Sequence, residues 1–182
     1  MGWRRDDAGE SAFRRDALAH ADALHDFAQY LTGSASDAED LVQDAYTRAF
    51  GATEQFAPGS NLKAWLYRIL RNLFIDHQRR SLKGPIAPVS IDDVDDGALA
   101  SVALPSFDGD AVTSADLESA MLALPEVSRT VILLDLEDFD EGEMSAVLGC
   151  APGTIKSRLF RARVALRELL KDYAPVRRLH GL

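Results

Sequence analysis

The chain has 182 residues, 47% of them hydrophobic and 27% charged, which is the composition of an ordinary globular protein with one or two small domains. No apolar run approaches the ~18 residues of a membrane span, and the N-terminus leads into no apolar stretch, so neither a transmembrane helix nor a signal peptide is expected. The single cysteine, Cys150, excludes an intrachain disulfide, and the formal net charge of −9 argues at first sight against a nucleic-acid ligand.

The negative charge is concentrated in one part of the chain. Residues 84–116 contain seven Asp and no Lys or Arg, whereas the segments on either side are close to neutral. Because local charge decides nucleic-acid binding, the net value does not exclude that function for the flanking segments.

The first part of the chain, residues 11–83, predicts helices. Apolar residues between positions 13 and 31 fall near helical spacing, and Gly33 marks the end of this stretch. Ser36 is predicted to begin the next helix, with Glu39 three residues later in a capping box. The apolar face of that helix is an i, i+4 stripe formed by Leu41, Val42, Ala45, Tyr46, Ala49 and Phe50.

The start of this helix is acidic. The helix dipole favours carboxylates in the first turn, which is sufficient to explain Asp37, Glu39 and Asp40. Asp44, with Gln43 beside it, lies beyond the first turn. These two residues are therefore candidates for a protein-binding face.

A third predicted helix, residues 61–80, combines cations with aromatic rings. Its Lys and Arg residues outnumber its one acid, Asp76, and Tyr67 and Phe74 are expected to be exposed, whereas Trp65 is expected to be buried. Rings stack on unpaired bases while cations follow phosphates, so this pattern suits single-stranded nucleic acid. The alternative, that the rings belong to the core, stays open.

Residues 84–113 are predicted to be a linker. They contain Pro and Gly, repeated Asp and no persistent helical or strand period, and like charges extend such a segment. Because a long structureless loop inside one compact domain is rare, two domains joined by a flexible acidic tether are predicted. Apolar residues in the linker, among them Ile91 and Phe107, are available to a partner surface.

The last part of the chain predicts helices at 114–124 and 125–136, followed by a two-helix unit. Asp140 and Glu143 cap the first helix of that unit, Gly149 forms the turn, and the second helix runs from Pro152 to about Lys171. Between positions 152 and 167 this second helix carries five cations and no acid. That is the pattern of a helix-turn-helix, which presents its second helix to the DNA major groove. A solvated cationic face is the alternative.

No strand alternation is present, so the sequence predicts an all-α fold of two small helical domains. Catalysis has little support, because the four histidines are dispersed and the sequence has no HExxH, CxxC or glycine-rich phosphate loop. Cys150 lies in the turn of the two-helix unit. A small buried thiol explains it better than a nucleophile or a redox sensor.

These segments, in this order, resemble the extracytoplasmic-function (group 4) sigma factors of bacterial RNA polymerase, in the sigma-70 family. Residues 37–50 look like region 2.2 of the family, and residues 61–80 are similar to regions 2.3 and 2.4. Residues 122–126 look like the start of region 4, and residues 149–163 look like its DNA-reading end. Two separate motif blocks at the family's spacing make the resemblance specific.

The resemblance implies a promoter-specificity factor that places core RNA polymerase on −35 and −10 elements and helps to open the −10 duplex. Residues 11–83 would bind polymerase and the −10 element, residues 84–113 would be the acidic linker, and residues 114–174 would read the −35 element. The implied partners are core RNA polymerase, through its β′ clamp helices and β flap, promoter DNA and an anti-sigma factor. No cofactor, metal, catalytic residue or membrane insertion is expected, and the expected location is the cytoplasm, at the nucleoid when polymerase is bound.

The resemblance also implies three groups of site residues. Contact with the β′ clamp helices falls to Asp40, Leu41, Gln43 and Asp44. Recognition of the −35 element falls to Pro152, Thr154, Lys156, Ser157, Arg158 and Arg161. Recognition of the −10 element and of a base flipped from its non-template strand falls to Phe56, Asn61, Lys63, Tyr67, Arg71, Asn72, Asp76, His77, Arg79 and Arg80.

Two other functions stay open at this point. A stand-alone helix-turn-helix regulator explains residues 117–172 but leaves the helix at 61–80 without a role, and tight duplex binding without polymerase would favour it. A regulatory adaptor that binds protein through its acidic linker would be favoured by failure to support transcription. An enzyme ranks third.

Overall fold

The computed structural model describes residues 7–57, 59–81 and 113–171, and these ranges contain helices and connecting turns but no strand. The predicted all-α fold of two helical domains is therefore confirmed. The helices are α1 (Asp7–Leu18), α2 (Ala21–Thr32), α3 (Ala35–Gly51), a short 3-10 turn (Thr53–Gln55), α4 (Leu62–Ser81), α5 (Ser114–Ala123), α6 (Glu126–Leu136), α7 (Glu141–Leu148) and α8 (Pro152–Lys171). The predicted linker, apart from Thr113, lies outside the described residues.

The start of α3 differs from the prediction. Gly33 ends α2 in the left-handed conformation, with φ of 71°, and the extended Ser34 follows it directly. The Ser34 hydroxyl accepts a hydrogen bond from the Asp37 backbone N–H at 3.4 Å, so Ser34 caps the helix and Ser36 lies inside its first turn. The predicted capping box of Ser36 and Glu39 is wrong.

Local capping signals define the C-terminal domain, α5–α8. Thr113 and Asp116 form a capping box at the start of α5, and Asp140 and Glu143 form the predicted one at the start of α7. Gly149 ends α7 with φ of 66°, a conformation that glycine adopts without strain. This turn sets the direction in which α8 leaves α7.

The N-terminal domain, α1–α4, packs directly against the C-terminal domain. Helix α2 contacts α5 and α6, helix α4 contacts α7, and one continuous cluster of buried apolar side chains runs through both domains. The Tyr67 ring lies between Phe27 at 4.8 Å and Phe139 at 4.9 Å, so it joins the two domains. The sequence predicts two domains but does not predict this contact between them.

Candidate nucleic-acid interfaces

The α8 helix keeps its predicted cationic face open. Ile155, Ala162 and Leu166 are buried and fix the helix on the core, which leaves the polar positions of its first half facing outward. The predicted residues are all exposed or half-exposed: Pro152, Thr154, Lys156, Ser157, Arg158 and Arg161. The Lys156 ammonium lies 3.5 Å from the Glu141 carboxylate of α7. At least half of each side chain is exposed, so this ion pair is weak and competes little with a DNA phosphate for Lys156.

The turn before α8 is held by its own hydrogen bonds. Ser145 donates its hydroxyl hydrogen bond to the Cys150 carbonyl oxygen, and the Gly149 N–H donates to the Ser145 carbonyl at 2.9 Å. Cys150 is half-buried and packs against the apolar cluster, as expected for a structural thiol. The turn therefore presents α8 in a fixed orientation.

One face of α4 is covered by the C-terminal domain. Lys63, Tyr67 and Arg71 recur at i, i+4 and i+8, and Asn61 caps the same helix by accepting from the Ala64 N–H at 3.0 Å. All four residues were predicted to contact the −10 element. We call Lys63, Tyr67 and Arg71 the covered face, and Asn61 is exposed at its end.

Charged partners meet the covered face along its length. Arg71 donates two hydrogen bonds to the Glu126 carboxylate, at 2.9 and 3.1 Å, and is 8% exposed. The Lys63 ammonium donates to the Glu137 carbonyl oxygen at 2.8 Å and lies 3.1 Å from the Glu137 carboxylate. Asn61 donates its amide hydrogen bond to the Glu143 carboxylate.

The prediction that Tyr67 and Phe74 are exposed is wrong, because their exposed fractions are 0% and 5%. Phe74 belongs to the core of the N-terminal domain, whereas the burial of Tyr67 is completed by Phe139 of the C-terminal domain. Burial, followed by the nearby Glu137 carboxylate, raises the pKa of the Tyr67 phenol. Asp138 adopts φ of 59°, and this left-handed residue directs the chain so that Phe139 reaches the Tyr67 ring.

The rest of the predicted −10 set is distributed over other surfaces. Asn72, Asp76 and Arg79 recur at i, i+4 and i+7 on an exposed face of α4. His77 and Arg80 point into a groove beside α3. Phe56 is half-buried, with its ring 5.6 Å from Phe13 and 5.3 Å from Trp65. The half-buried Trp65 is more accessible than predicted.

The predicted polymerase-binding residues line an open groove between α3 and the end of α4. Asp40, Gln43 and Asp44 are exposed at its edge, whereas Leu41 is 1% exposed and forms part of the floor. The groove has a volume of about 930 Å³, and the His77 imidazole lies 3.6 Å from the Asp44 carboxylate. This surface remains accessible while the covered face of α4 is not.

Sequence reasoning missed the residues that hold the domains together. Arg129 of α6 donates to the Tyr30 and Leu31 carbonyls at the end of α2, at 2.8 and 3.1 Å, and to the Leu122 and Leu124 carbonyls at 2.7 and 2.9 Å. A cation at a helix C-terminus is favoured by the dipole and by the unpaired carbonyls. No local sequence signal marks this role, because two of the acceptors lie in the other domain.

Within residues 7–57, 59–81 and 113–171, no group of three or more His, Cys, Asp or Glu side chains is arranged to hold a metal ion. In the same part of the chain, no helix combines the length and the apolar character that crossing a bilayer requires.

Two helical domains, the second of which presents a cationic recognition helix, define a DNA-binding transcription factor. The family model of Sigma-70 region 2 matches residues 17–83, and that of Sigma-70, region 4 matches residues 114–166. The chain belongs to the extracytoplasmic-function (ECF) sigma factors of bacterial RNA polymerase.

Similar proteins agree with this assignment. The chain is 38% identical over 172 residues to the ECF RNA polymerase sigma factor EcfG of Rhodopseudomonas palustris, covering 90% of this chain and 91% of EcfG. It is 36% identical over 157 residues to the ECF RNA polymerase sigma factor SigE of Mycolicibacterium smegmatis, covering 85% of this chain and 60% of SigE. Among solved structures, the sigma factor RpoE in complex with the anti-sigma factor NepR from Bartonella quintana is similar, with 37% identity and a TM-score of 0.68 over 88% of this chain and 97% of that chain.

The function follows from the family. The protein directs core RNA polymerase to specific promoters and initiates transcription through −35 and −10 recognition and −10 melting. The reading as a stand-alone regulator is disfavoured, because region 2 accounts for the helices that such a regulator leaves without a role. The relatives are transcription initiation factors rather than enzymes.

Proposed function

We propose that three surfaces of this chain divide the work of promoter recognition. The first half of α8 reads the −35 element, α4 reads and helps to melt the −10 element, and the groove beside α3 docks on the β′ clamp helices of polymerase. The observation that supports this division is that each surface has the chemistry of its target: exposed cations on α8, exposed cations and an amide on α4 (Arg79, Arg80 and Asn72), and carboxylates at the edge of the groove.

At the −35 element, α8 enters the major groove with its N-terminal half. Lys156 is exposed and suited to a phosphate, and the Arg158 and Arg161 guanidinium groups are suited to phosphates or guanine edges. The Ser157 hydroxyl donates to the Thr154 carbonyl at 3.0 Å, and Arg161 donates to the Ser157 carbonyl at 3.2 Å. These bonds hold the polar side chains close to the helix before DNA binds.

At the −10 element, α4 supplies cations for phosphates and side chains that hold an unstacked base. Unstacking costs a few kcal/mol, and stacking and pocket contacts offset that cost. Asn61, Asn72, Asp76 and Arg79 are exposed, whereas Lys63, Tyr67 and Arg71 reach DNA only after the C-terminal domain moves away. Phe56 contributes by positioning the loop before α4, through its contacts with Phe13 and Trp65.

At the polymerase, the carboxylates of Asp40 and Asp44 meet a basic partner surface, and Gln43 lies between them on the same face of α3. The buried Leu41 supports this surface from below. Two weak DNA contacts on one chain gain by effective concentration only when polymerase fixes their spacing. The free protein is therefore expected to bind promoters poorly.

Run-off transcription with purified core polymerase on a library of genomic fragments tests this function. We expect transcripts that the core enzyme alone does not produce, from start sites that share one −35 and one −10 sequence. Output equal to that of core polymerase alone would contradict the proposal, and tight duplex binding without polymerase would favour a stand-alone regulator.

We also propose that an anti-sigma factor regulates the protein, as the RpoE–NepR complex suggests. An apolar groove of about 430 Å³ lies between α5, α6 and α8, and Leu117 and Leu136 are exposed beside it at 41% and 66%. Such a groove fits one face of an amphipathic helix. We expect purified Bartonella quintana NepR to inhibit run-off transcription by the wild-type protein but not by a Leu117→Ser/Leu136→Ser variant. Equal inhibition of both proteins would exclude this groove as the binding site.

The proposal places the protein in the cytoplasm, and at the nucleoid when it is bound to polymerase. It also gives the chain no catalytic activity of its own, since polymerase supplies the chemistry.

A further inference from the structure

Ser145 and Cys150 close the helix-turn-helix with a reciprocal pair of hydrogen bonds. The Cys150 N–H donates to the Ser145 carbonyl oxygen at 3.3 Å, and the Ser145 hydroxyl donates back to the Cys150 carbonyl oxygen. Gly149, in the left-handed conformation, also donates its N–H to the Ser145 carbonyl, at 2.9 Å. The last turn of α7 is therefore joined to both backbone groups of Cys150, just before α8 begins.

The Cys150 carbonyl depends on this hydroxyl for its hydrogen bond. Helix α8 begins at Pro152, and the Thr154 N–H donates to the Ala151 carbonyl at 3.0 Å, so Cys150 lies outside the hydrogen-bond ladder of α8. Within residues 113–171, no backbone N–H donates to the Cys150 carbonyl. Because Cys150 is half-buried against the apolar cluster, loss of the Ser145 hydroxyl would leave this carbonyl without a protein partner.

We propose that Ser145 is a positioning residue for −35 recognition. Through the Cys150 carbonyl, its hydroxyl fixes the direction in which α8 leaves the turn, and thereby where the Arg158 and Arg161 side chains lie in the major groove. The proposal rests on the −35 role given above to α8. It adds a residue of α7 whose hydroxyl is bonded within the protein and influences DNA binding only through the orientation of α8.

Apolar packing alone does not set this direction accurately. Apolar contacts are non-directional, whereas a hydrogen bond prefers a narrow range of angles. Arg161 lies nine residues after Pro152, roughly 14 Å along α8 at 1.5 Å per residue, so a tilt of about 10° at the turn moves it by about 2 Å. Such a shift breaks a two-point contact with a guanine edge, because the hydrogen bonds of that contact require about 2.7–3.2 Å between donor and acceptor.

The test changes the hydroxyl and keeps the helix. Ser145→Ala removes the donor and Ser145→Thr retains it, while Ser119→Ala makes the same change at an exposed position of α5 and serves as the matched control. Each full-length protein is combined with core polymerase. The affinity of the holoenzyme is then measured for a promoter fragment identified by run-off transcription and for the same fragment with its −35 segment scrambled.

The loss is expected to be confined to the −35 element. We expect Ser145→Ala to bind the intact promoter about five- to tenfold more weakly than wild type, and to bind the scrambled fragment and core polymerase within about twofold of wild type. Ser145→Thr and Ser119→Ala should match wild type on both fragments. Wild-type affinity of Ser145→Ala for the intact promoter, or an equal loss on both fragments, would overturn the proposal, since a general loss of folded protein weakens both alike.

A second variant covers the case in which Ser145→Ala does not unfold cooperatively in urea. Ser145→Cys, measured under reducing conditions, then takes its place, because a thiol is a weaker donor of similar size. A loss of about two- to fivefold on the intact fragment alone is expected, and no loss would overturn the proposal.

The same measurements separate this proposal from the function on which it rests. A wild-type holoenzyme that binds both fragments equally would refute the −35 role of α8 itself. A wild-type holoenzyme that prefers the intact promoter, together with a Ser145→Ala holoenzyme that prefers it to the same extent, would refute the role of Ser145 alone.

Discussion

Arg71 and Glu126 form an ion pair with two hydrogen bonds across the domain interface, and Thr130 donates a third hydrogen bond to the Glu126 carboxylate. The Thr130 hydroxyl donates to the same Glu126 oxygen that accepts from Arg71, at 2.9 Å, and Thr130 is fully buried. Glu126 lies in the first turn of α6, where the helix dipole also favours its charge. The carboxylate is therefore held in place before Arg71 arrives.

Substituting Thr130→Val tests this arrangement, because valine keeps the shape of threonine and removes only the hydroxyl. One hydrogen bond to a charged group is lost, so we expect the free energy of unfolding to fall by about 1–2 kcal/mol, as measured by urea denaturation. The Thr130→Ser variant keeps the hydroxyl and should retain the pair despite the loss of a methyl group. A valine variant as stable as wild type would show that Thr130 does not support Glu126.

Arg129 gives a second prediction about the interface. Its guanidinium donates to four carbonyl oxygens, two in each domain, and burial lowers its pKa without removing its charge at neutral pH. We expect Arg129→Met to lower the free energy of unfolding by about 2–3 kcal/mol, because four part-buried carbonyls lose their partner. Arg129→Lys should recover only part of the loss, since one ammonium cannot match the planar fork. Equal stability of all three proteins in urea would contradict this role.

Polymerase binding gives a third prediction. The Asp44 carboxylate is exposed at the edge of the groove beside α3. If this edge meets a basic partner surface, Asp44→Asn should weaken binding to core polymerase by about three- to tenfold at low salt and by less at high salt. Asp22→Asn, a matched change at an exposed position of α2 outside the groove, should leave the affinity unchanged. Titration of core polymerase with labelled protein measures both, and equal affinity of Asp44→Asn and wild type would exclude Asp44 from the docking surface.

Elements whose signals lie within a few residues of one another could be predicted from the sequence, whereas contacts between distant residues could not. The unit of α7, turn and α8 was predictable because its signals act over a few residues: the Asp140–Glu143 box, the left-handed Gly149 and a proline at the first position of α8. The sequence predicts the start of α3 two residues late, because Ser34 and Ser36 are each a serine followed three residues later by an acidic residue. Only the left-handed Gly33 before Ser34 distinguishes them.

The covered face could not be predicted in the same way. Lys63, Tyr67 and Arg71 form a cationic and aromatic stripe, which is the pattern of a nucleic-acid surface whether or not another domain lies on it. The residue that buries Arg71 is 55 positions away in the chain, and no periodicity links the two. Acidic residues after α6 were visible in the sequence, but their partners became apparent only in the folded protein.

The recognition helix gives a fourth prediction. Lys156 is exposed near the start of α8, where a cation is suited to a phosphate. We expect Lys156→Ala to weaken promoter binding by the holoenzyme uniformly across sequences and to reduce the slope of log K against log salt by about 1. Lys171→Ala removes the same charge at the far end of the same helix and should leave the slope unchanged. An equal slope for wild type and Lys156→Ala would show that Lys156 does not contact a phosphate.

Acid sensitivity gives a final prediction, which depends on His20 between α1 and α2. Burial, followed by the nearby Lys63 ammonium, lowers the pKa of His20 below its usual value of 6.5, and Asp16 and Glu137 oppose the shift only in part. Between 6.5 and the lower folded value the unfolded chain binds more protons, so stability is complete above pH 6.5 and falls as the pH drops through that window. His20→Gln cannot bind the proton, and its free energy of unfolding should therefore decline less over the same range. Parallel urea titrations of both proteins from pH 7.5 to pH 5 measure this, and identical pH profiles would show that His20 does not titrate differently in the folded protein.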